Sequence, residues 1–316
     1  MDRIVVIVGP TASGKTALSV ALAKKLRGEV ISADSMQIYR GMDVGTAKVT
    51  PEEMDGIPHH MIDVADPAES FSAARFVEMA DPILRDILSR GKTAVIAGGT
   101  GLYVDALIQG RAFAPCPATG KREALEAEAD LMGMEHMLDR LRQVDPDSAA
   151  RLHLSDRKRI LRALEVYEET GRTITAHNLE TQKVPPRYDP VWLGLSFADR
   201  AALYRRIDRR VDEMLARGLE QEVRGLLSAG LSPRCTAMQA IGYKEVAAAI
   251  GGACTMAEAA EAVKRGSRRY AKRQLSWLRR DGGLHWLLWD EAPDIEAGVK
   301  CALEWISTEN DTPPAV

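Results

Sequence analysis

Gly9-Pro10-Thr11-Ala12-Ser13-Gly14-Lys15-Thr16 spells G-x-x-x-x-G-K-T, the spacing of a phosphate-binding loop, near the start of a chain of 316 residues. Gly9 and Gly14 permit backbone angles that turn successive N–H groups onto phosphate oxygens, and a helix starting there adds the positive end of its dipole. Lys15 adds a full charge, and the Thr16 hydroxyl is of the type that ligates Mg²⁺. The chemistry implied is the handling of a di- or triphosphate. A second candidate is Asp34, which opens Asp34-Ser35-Met36-Gln37-Ile38-Tyr39. A lone carboxylate beside a phosphate site can take a proton from an acceptor, or it can simply stabilise a turn.

These residues need strands to lead into them and helices to hold them. Ile4-Val5-Val6-Ile7-Val8 is a β-branched run that reads as a buried strand, and Ala17-Leu18-Ser19-Val20-Ala21-Leu22-Ala23 continues as helix. Glu29-Val30-Ile31-Ser32-Ala33 reads as a second strand, which delivers Asp34 to the sheet edge where ligands of open α/β folds bind. Residues 41–58 are loop-like and carry Gly45-Thr46-Ala47-Lys48. Ser72 is placed to cap a helix running to about Arg90, and Pro82 predicts a kink or break within it. A third strand, Thr93-Ala94-Val95-Ile96-Ala97, runs into Gly98-Gly99-Thr100-Gly101-Leu102-Tyr103 and ends without a carboxylate.

Two proline-rich stretches, 113–117 and 184–190, bracket an almost wholly helical pattern at about 120–183. The expected fold is therefore α/β: a P-loop NTPase-like parallel sheet with flanking helices, plus an inserted all-helical subdomain. The core is assigned to 1–112 and 191–316, and the insert to 113–190. After the insert, Val191-Trp192-Leu193-Gly194-Leu195 returns to strand, and helices are expected over 200–227, 238–250 and 255–280. His285-Trp286-Leu287-Leu288-Trp289 is the last strand, with Trp286 and Trp289 in the core. The tail from Thr308 is polar and is expected to be disordered.

At 46% hydrophobic residues the chain has ample material for a core, and no apolar run reaches the length of a membrane span. The apolar N-terminal stretch is too short for a signal peptide. Cys116, Cys235, Cys254 and Cys301 lie far apart without C-x-x-C pairing, which argues against zinc and disulfides and fits a reducing cytosol. A cytoplasmic protein without membrane association is expected. His59-His60 invites a metal reading, but adjacent side chains point apart on most backbones, and His136, His153, His177 and His285 are scattered.

A net charge of −3 says nothing for nucleic acid, but its distribution does. Acidic residues concentrate in 123–135, and basic ones cluster in 157–162, 205–210 and 264–280. Lys264, Arg265, Arg268, Arg269, Lys272 and Arg273 form two adjacent stripes on one helix face, with Tyr270 and Trp277 available to pack inside or stack on bases. Few acids follow Glu261, so phosphate-backbone binding is favoured over a merely solvated helix. A P-loop alone most often means ATP or GTP, and Asp34 would suit a small-molecule kinase. That alternative stays open, although a small acceptor has no need of three basic patches.

Taken in order, the motifs identify a family. The P-loop, Ser32-Ala33-Asp34-Ser35-Met36-Gln37-Ile38-Tyr39, Gly45-Thr46-Ala47-Lys48 and Gly98-Gly99-Thr100-Gly101-Leu102-Tyr103 are followed by Arg162-Ala163-Leu164-Glu165-Val166, Gln239-Ala240-Ile241-Gly242-Tyr243-Lys244-Glu245 and Lys272-Arg273-Gln274-Leu275-Ser276-Trp277-Leu278-Arg279. The series resembles the bacterial tRNA dimethylallyltransferases (isopentenyltransferases) over nearly the whole chain. That family moves a dimethylallyl group from dimethylallyl diphosphate to N6 of the adenosine just 3′ of the anticodon, tRNA position 37.

The resemblance implies that Asp34 is the general base, with Lys15, Thr100 and Arg210 completing the catalytic set. It implies a diphosphate held by Gly9 to Thr16, with Mg²⁺ on Thr16 as cofactor; the chain has no D-D-x-x-D run of the kind other prenyltransferases use. For tRNA it implies Asp34, Ser35, Met36, Gln37, Thr100 and Arg122. Lys121 could replace Arg122, because Ala118-Thr119-Gly120-Lys121 departs from the family pattern. Further implied contacts are Lys158, Arg159, Ile160, Leu161 and Arg162 on the insert, and Gln239, Ala240, Ile241, Gly242, Tyr243 and Lys244 on the core. Lys272, Arg273, Gln274, Trp277 and Arg279 complete them. The implied picture is an anticodon stem-loop gripped between insert and core, with its adenosine flipped into a channel. The family's Pro-His loop makes His59-His60 structural or substrate-adjacent, and a monomer is expected.

Overall fold

The β-branched runs pair into one sheet. The computed structural model describes residues 3–110, 112–114, 119–279 and 283–310. The first half of the core comprises β1 (Arg3–Val8), α1 (Lys15–Leu26), β2 (Glu29–Ser32), α2 (Pro51–Met54), β3 (His59–His60), α3 (Ala73–Ser89), β4 (Ala94–Gly98) and α4 (Gly101–Gln109). Four helices follow: α5 (Lys121–Val144), α6 (Pro146–Arg151), α7 (Arg157–Thr170) and α8 (Ile174–Thr181). The chain then returns through β5 (Asp189–Phe197), α9 (Arg200–Ala216), α10 (Leu219–Ser228), a 3₁₀ turn at Ala237–Gln239, α11 (Tyr243–Ile250), α12 (Met256–Leu278), β6 (His285–Trp289) and α13 (Ile295–Asn310).

The six strands run in the order β3-β2-β4-β1-β5-β6, and every pairing is parallel. β1 lies at the centre, with Val6 opposite Ile96 on one side and Trp192 on the other. Parallel sheets need both faces covered, and the central strands β1, β4 and β5 are accordingly mostly apolar. Val5, Ile7, Val30, Val95, Leu193 and Leu195 pack with Leu18 and Leu22 of α1, Leu203 and Ile207 of α9, and Trp289 of β6. Because β1, β2 and β4 are neighbours and parallel, the loops that leave their carboxyl ends share one edge. Those loops carry the P-loop, Asp34 and Thr100.

By contact the chain divides into a unit of Met1–Ile108 with Arg187–Val316, and a unit of Gln109–Pro186. The smaller unit has its own core: Leu125, Met137, Leu138 and Leu141 from α5 meet Ile160, Leu161 and Leu164 from α7. Truncating such a residue to alanine costs about 2–5 kcal/mol. Ile160 and Leu161 are fully buried there, so within the run 158–162 their side chains serve the helical core and not an RNA surface. Gly133, at φ 84°, breaks α5 and leaves Leu131 and Met132 exposed.

Several expectations are corrected. β3 is an additional two-residue strand on the sheet edge. Ser72 caps α3 as expected, its side chain accepting from Arg75 N, but the helix runs through Pro82 without a break. Pro82 and Glu78 are both exposed, so solvent can meet the carbonyl that proline leaves without a donor. The expected helix over 200–227 is two helices separated at Gly218, φ 100°. The one over 238–250 begins as a 3₁₀ turn and restarts at Gly242, φ 102°. Thr308 belongs to α13 rather than to a disordered tail. Pro115, Cys116, Pro117 and Ala118, as well as Arg280 and the tail 311–316, lie outside the described residues. Among the described residues no helix is long and apolar enough to cross a membrane.

Candidate active site

The P-loop leaves β1 and turns into α1 through backbone that ordinary residues avoid. Gly14 caps α1 at φ 89°, and Ala12 adopts φ 64°, the left-handed region that a Cβ disfavours. No side chain caps the amino end of α1, so its first N–H groups remain available to an anion. Such a loop persists only when its surroundings hold it. Here Gln274 Oε1 accepts from Thr11 N at 3.1 Å, and the Arg206 Nε–H donates to Ala12 O at 3.2 Å. Buried Trp289 donates its Nε1–H to Ser13 O at 2.9 Å. Sequence reasoning placed Gln274 against RNA and Trp289 in the core, and did not single out Arg206. Gln274 is buried with both ends of its amide engaged, which corrects its assignment to an RNA-facing surface.

Lys15 Nζ folds back onto the loop, donating to Gly9 O at 3.0 Å and Pro10 O at 2.8 Å. Burial, and then the repulsion of Arg210, push its pKa down to about 8, while Asp34 works in the opposite sense. Arg210 on α9 is held below its ordinary value mainly by burial, and Asp34 again opposes this. Its Nε is buried with no hydrogen-bond partner among the described residues, as is the Ser13 hydroxyl. Two half-buried cations repelling one another, with unused donors beside them, suit a polyanion. Among the described residues no cluster of three His, Cys, Asp or Glu could cage a metal. The exposed Thr16 hydroxyl with phosphate oxygens and water is the mode in which Mg²⁺ is usually bound, so these residues fit that ion.

Asp34 leaves β2 into an Asx turn, its Oδ1 accepting from Met36 N at 2.9 Å and Gln37 N at 3.4 Å. Thr100 Oγ1 accepts from Ser35 N at 3.1 Å, and Thr100 N donates to Ala33 O at 3.2 Å. The ends of β2 and β4 are thereby joined. Glycine is needed for this: a Cβ on Gly98 would stand 2.2 Å from Ala33 O. Cβ atoms on Gly99 and Gly101 would stand 2.2 Å from Gln274 and 2.3 Å from the Trp277 ring, so α12 lies directly on this loop. The Tyr270 phenol is pushed up to about 12, first by burial and then by the Asp34 charge.

Lys15, Thr16, Ser32, Asp34, Gln37 and His59 are among the residues lining a cleft of about 390 Å³, part of it open to solvent. The two histidines diverge as expected. His60 Nε2 lies 2.8 Å from buried Glu29, whereas His59 Nδ1 meets Ile57 O at 2.9 Å and its Nε2 has no partner among the described residues.

The expected tRNA residues divide by burial. Ser35 and Met36 are half-buried beside Asp34, but the Gln37 amide is committed inward to Thr46 O, Ala47 O and Ser32 Oγ. Tyr243 is fully buried with its phenol on Glu222, so its side chain offers RNA nothing. Gly242 is also buried, Ala240 and Ile241 are half-buried, and Gln239 and Lys244 are exposed. Lys272 and Arg273 are exposed on α12, Arg279 is exposed just after its end, and Trp277 is half-buried. Two of the α12 cations find acids on a neighbouring helix, Lys264 with Asp212 and Arg268 with Asp208 of α9, while Arg265 and Arg269 are exposed. In the helical unit, Lys158 and Arg159 are exposed, and Arg162 donates to Glu165 at 2.9 Å and Ala114 O at 2.7 Å. Arg122 pairs with Glu126 at 2.9 Å, and Lys121 donates to Glu168 O at 2.6 Å.

Comparison with known proteins is consistent across sequence and fold. The sequence model of the IPP transferase family matches residues 37–281. A tRNA dimethylallyltransferase of Symbiobacterium thermophilum is 51% identical over 90% of this chain and 88% of its own, and one of Caldanaerobacter subterraneus subsp. tengcongensis is 45% identical over 93% and 94%. The crystal structure of a tRNA isopentenylpyrophosphate transferase from Bacillus halodurans matches with TM-score 0.73 at 41% identity, covering 98% of this chain and 99% of that one. A eukaryotic dimethylallyltransferase acting on tRNA matches with TM-score 0.82 at 30% identity, covering 98% and 80%. The family model spans most of the chain, and tRNA dimethylallyltransferases match about nine-tenths of it at 45–51% identity, so this chain belongs to the IPP transferase family.

Proposed function

We propose that this protein transfers a dimethylallyl group from dimethylallyl diphosphate to the N6 amine of the adenosine 3′ of a tRNA anticodon. The observation that carries the reading is a single carboxylate, Asp34, lining one cleft with Lys15, whose positive charge Arg210 opposes and Asp34 favours. The cations suit a leaving diphosphate, and the carboxylate suits a proton acceptor.

In the transfer, the N6 nitrogen forms a bond to the allylic carbon as the carbon–oxygen bond breaks, and diphosphate leaves with the bonding pair. Asp34 receives the proton that N6 gives up, since an amine conjugated into adenine is a poor nucleophile until that proton leaves. Lys15, Arg210 and the amino end of α1 stabilise charge gathering on the leaving oxygens. Mg²⁺ held by Thr16 and the diphosphate would supply further positive charge to the same oxygens. Thr100 orients the Asp34 turn through Ser35 N. The exposed Lys272, Arg273 and Arg279, with Lys158 and Arg159 of the helical unit, are proposed to meet tRNA phosphates.

Family membership favours this reading over a small-molecule kinase. The discriminating experiment supplies the protein with Mg²⁺ and an anticodon stem-loop carrying adenosine at the target position, with dimethylallyl diphosphate or ATP in parallel. Prenylated adenosine by mass spectrometry, dependent on dimethylallyl diphosphate, is the expected product. Phosphoryl transfer from ATP without prenylation by the folded protein overturns the proposal.

A further inference from the structure

Glu222, on α10, fills a pocket built from main chain. Its Oε2 accepts from Asp43 N at 2.8 Å and Val44 N at 2.7 Å, and its Oε1 accepts from Gly45 N at 3.0 Å and from the Tyr243 phenol at 2.5 Å. Three successive backbone N–H groups around one carboxylate make an anion-binding nest, occupied here by the protein's own side chain. The loop is pressed onto that anchor: a Cβ on Gly45 would stand 2.5 Å from the Tyr243 ring and 2.7 Å from Leu219.

The same loop holds the residue that shapes the Asp34 turn. Thr46 O and Ala47 O accept from Gln37 Nε2 at 3.3 and 3.2 Å, and Gln37 Oε1 accepts from Ser32 Oγ at 3.3 Å. Gln37 N in turn reaches Asp34 Oδ1 at 3.4 Å. A continuous series of hydrogen bonds therefore runs from Tyr243 and Glu222, through loop 43–47 and Gln37, to the Asp34 carboxylate. Glu222 itself does not line the cleft.

We propose that Glu222 is a positioning residue for the transfer: by clamping loop 43–47 it fixes Gln37, and through Gln37 the orientation of Asp34, without touching either substrate. The inference rests on the activity proposed above, with Asp34 as base. A general base must lie within hydrogen-bond reach of the proton it takes. Removing the clamp leaves three main-chain donors without their acceptor, and the loop moves to find solvent. Such a shift turns the carboxylate away while leaving the phosphate loop and the exposed basic side chains intact. The reaction should slow while both substrates still bind.

The test uses the full chain with Mg²⁺, dimethylallyl diphosphate and an anticodon stem-loop, comparing Glu222→Ala, Glu222→Gln, Tyr243→Phe, Gln37→Ala and the double variant Glu222→Ala/Gln37→Ala. Glu222→Ala should lower kcat about 10- to 100-fold, as loss of an orienting partner commonly does. KM for each substrate should stay within about threefold, and the double variant should be no slower than the slower single one, because both act through one path. Glu222→Gln and Tyr243→Phe, which keep part of the clamp, should show smaller falls in kcat of the same kind. They carry the test if Glu222→Ala does not fold. Multiplying effects in the double variant, a lowered melting temperature with unchanged kcat, or a raised tRNA KM with unchanged kcat in Tyr243→Phe would each overturn the inference. Absence of prenylation by the wild-type protein would overturn the proposed activity itself, whereas an active wild type matched by Glu222→Ala overturns only the role of Glu222.

Discussion

Gln274 accepts the Thr11 main-chain N–H at 3.1 Å across 263 residues of sequence, and donates its own Nε2–H to Gly99 O at 2.9 Å. One buried amide thus spans the phosphate loop and the loop that carries Thr100. Gln274→Ala leaves a donor and an acceptor unmet, at about 1–3 kcal/mol for each buried group. Urea denaturation should report that loss, together with a raised KM for dimethylallyl diphosphate. Gln274→Glu keeps the acceptor for Thr11 but sets oxygen against Gly99 O, and should be the worse donor binder of the two.

Lys15 predicts a pH dependence of donor binding. With its pKa pushed down to about 8, it carries full charge below that value and loses it above. Affinity for inorganic pyrophosphate, measured by calorimetry, should fall as pH rises through 8 towards 9.5, and Lys15→Met should flatten the profile. Stability of the free protein runs the other way. The unfolded lysine, at its ordinary 10.5, binds more protons than the folded one between about 8 and 10.5, so this group makes the fold more stable as pH rises through that window.

The two roles of Asp34 can be separated. Its Oδ1 accepts from Met36 N and Gln37 N, a task the amide oxygen of asparagine performs equally well. Asp34→Asn should therefore keep the turn and its tRNA KM while losing kcat by about 10²–10⁴-fold, the usual worth of a positioned base. Asp34→Ala should lose kcat at least as far and lower the melting temperature besides. Steady-state kinetics with thermal unfolding distinguishes the two.

Arg210 is a half-buried cation close to Lys15, with a buried Nε that has no partner among the described residues. Replacing it by methionine removes the repulsion and the desolvated charge. The free protein should unfold at the same or a higher temperature, while pyrophosphate affinity falls about tenfold or more, since charge-assisted contacts are the strong ones. A large loss of free-protein stability instead would show that the arginine is structurally neutralised.

Much of this was legible in local pattern. The strand before Gly9, the strand that delivers Asp34 and the Ser72 cap were all readable because each signal is carried by adjacent residues. α13 had a signal that went unread: Ile295, Val299, Ala302 and Ile306 keep helical spacing and pack on the core. A strand of only His59 and His60 has no period to detect. The breaks at Gly218 and Gly242 require positive φ, which the surrounding helical pattern conceals. The roles of Gln274, Trp289 and Glu222 are the least readable of all. Each meets main-chain atoms far away in sequence, and no spacing along the chain encodes such a meeting.

The anchoring of the P-loop also has a consequence for biosynthesis. Gly9 to Thr16 leave the ribosome well before Trp289, which holds Ser13 O and follows it by 276 residues. At about 5–20 residues per second, the phosphate loop waits on the order of tens of seconds for its last fastener. A nascent chain carries its most recognisable motif long before it acquires the use of it.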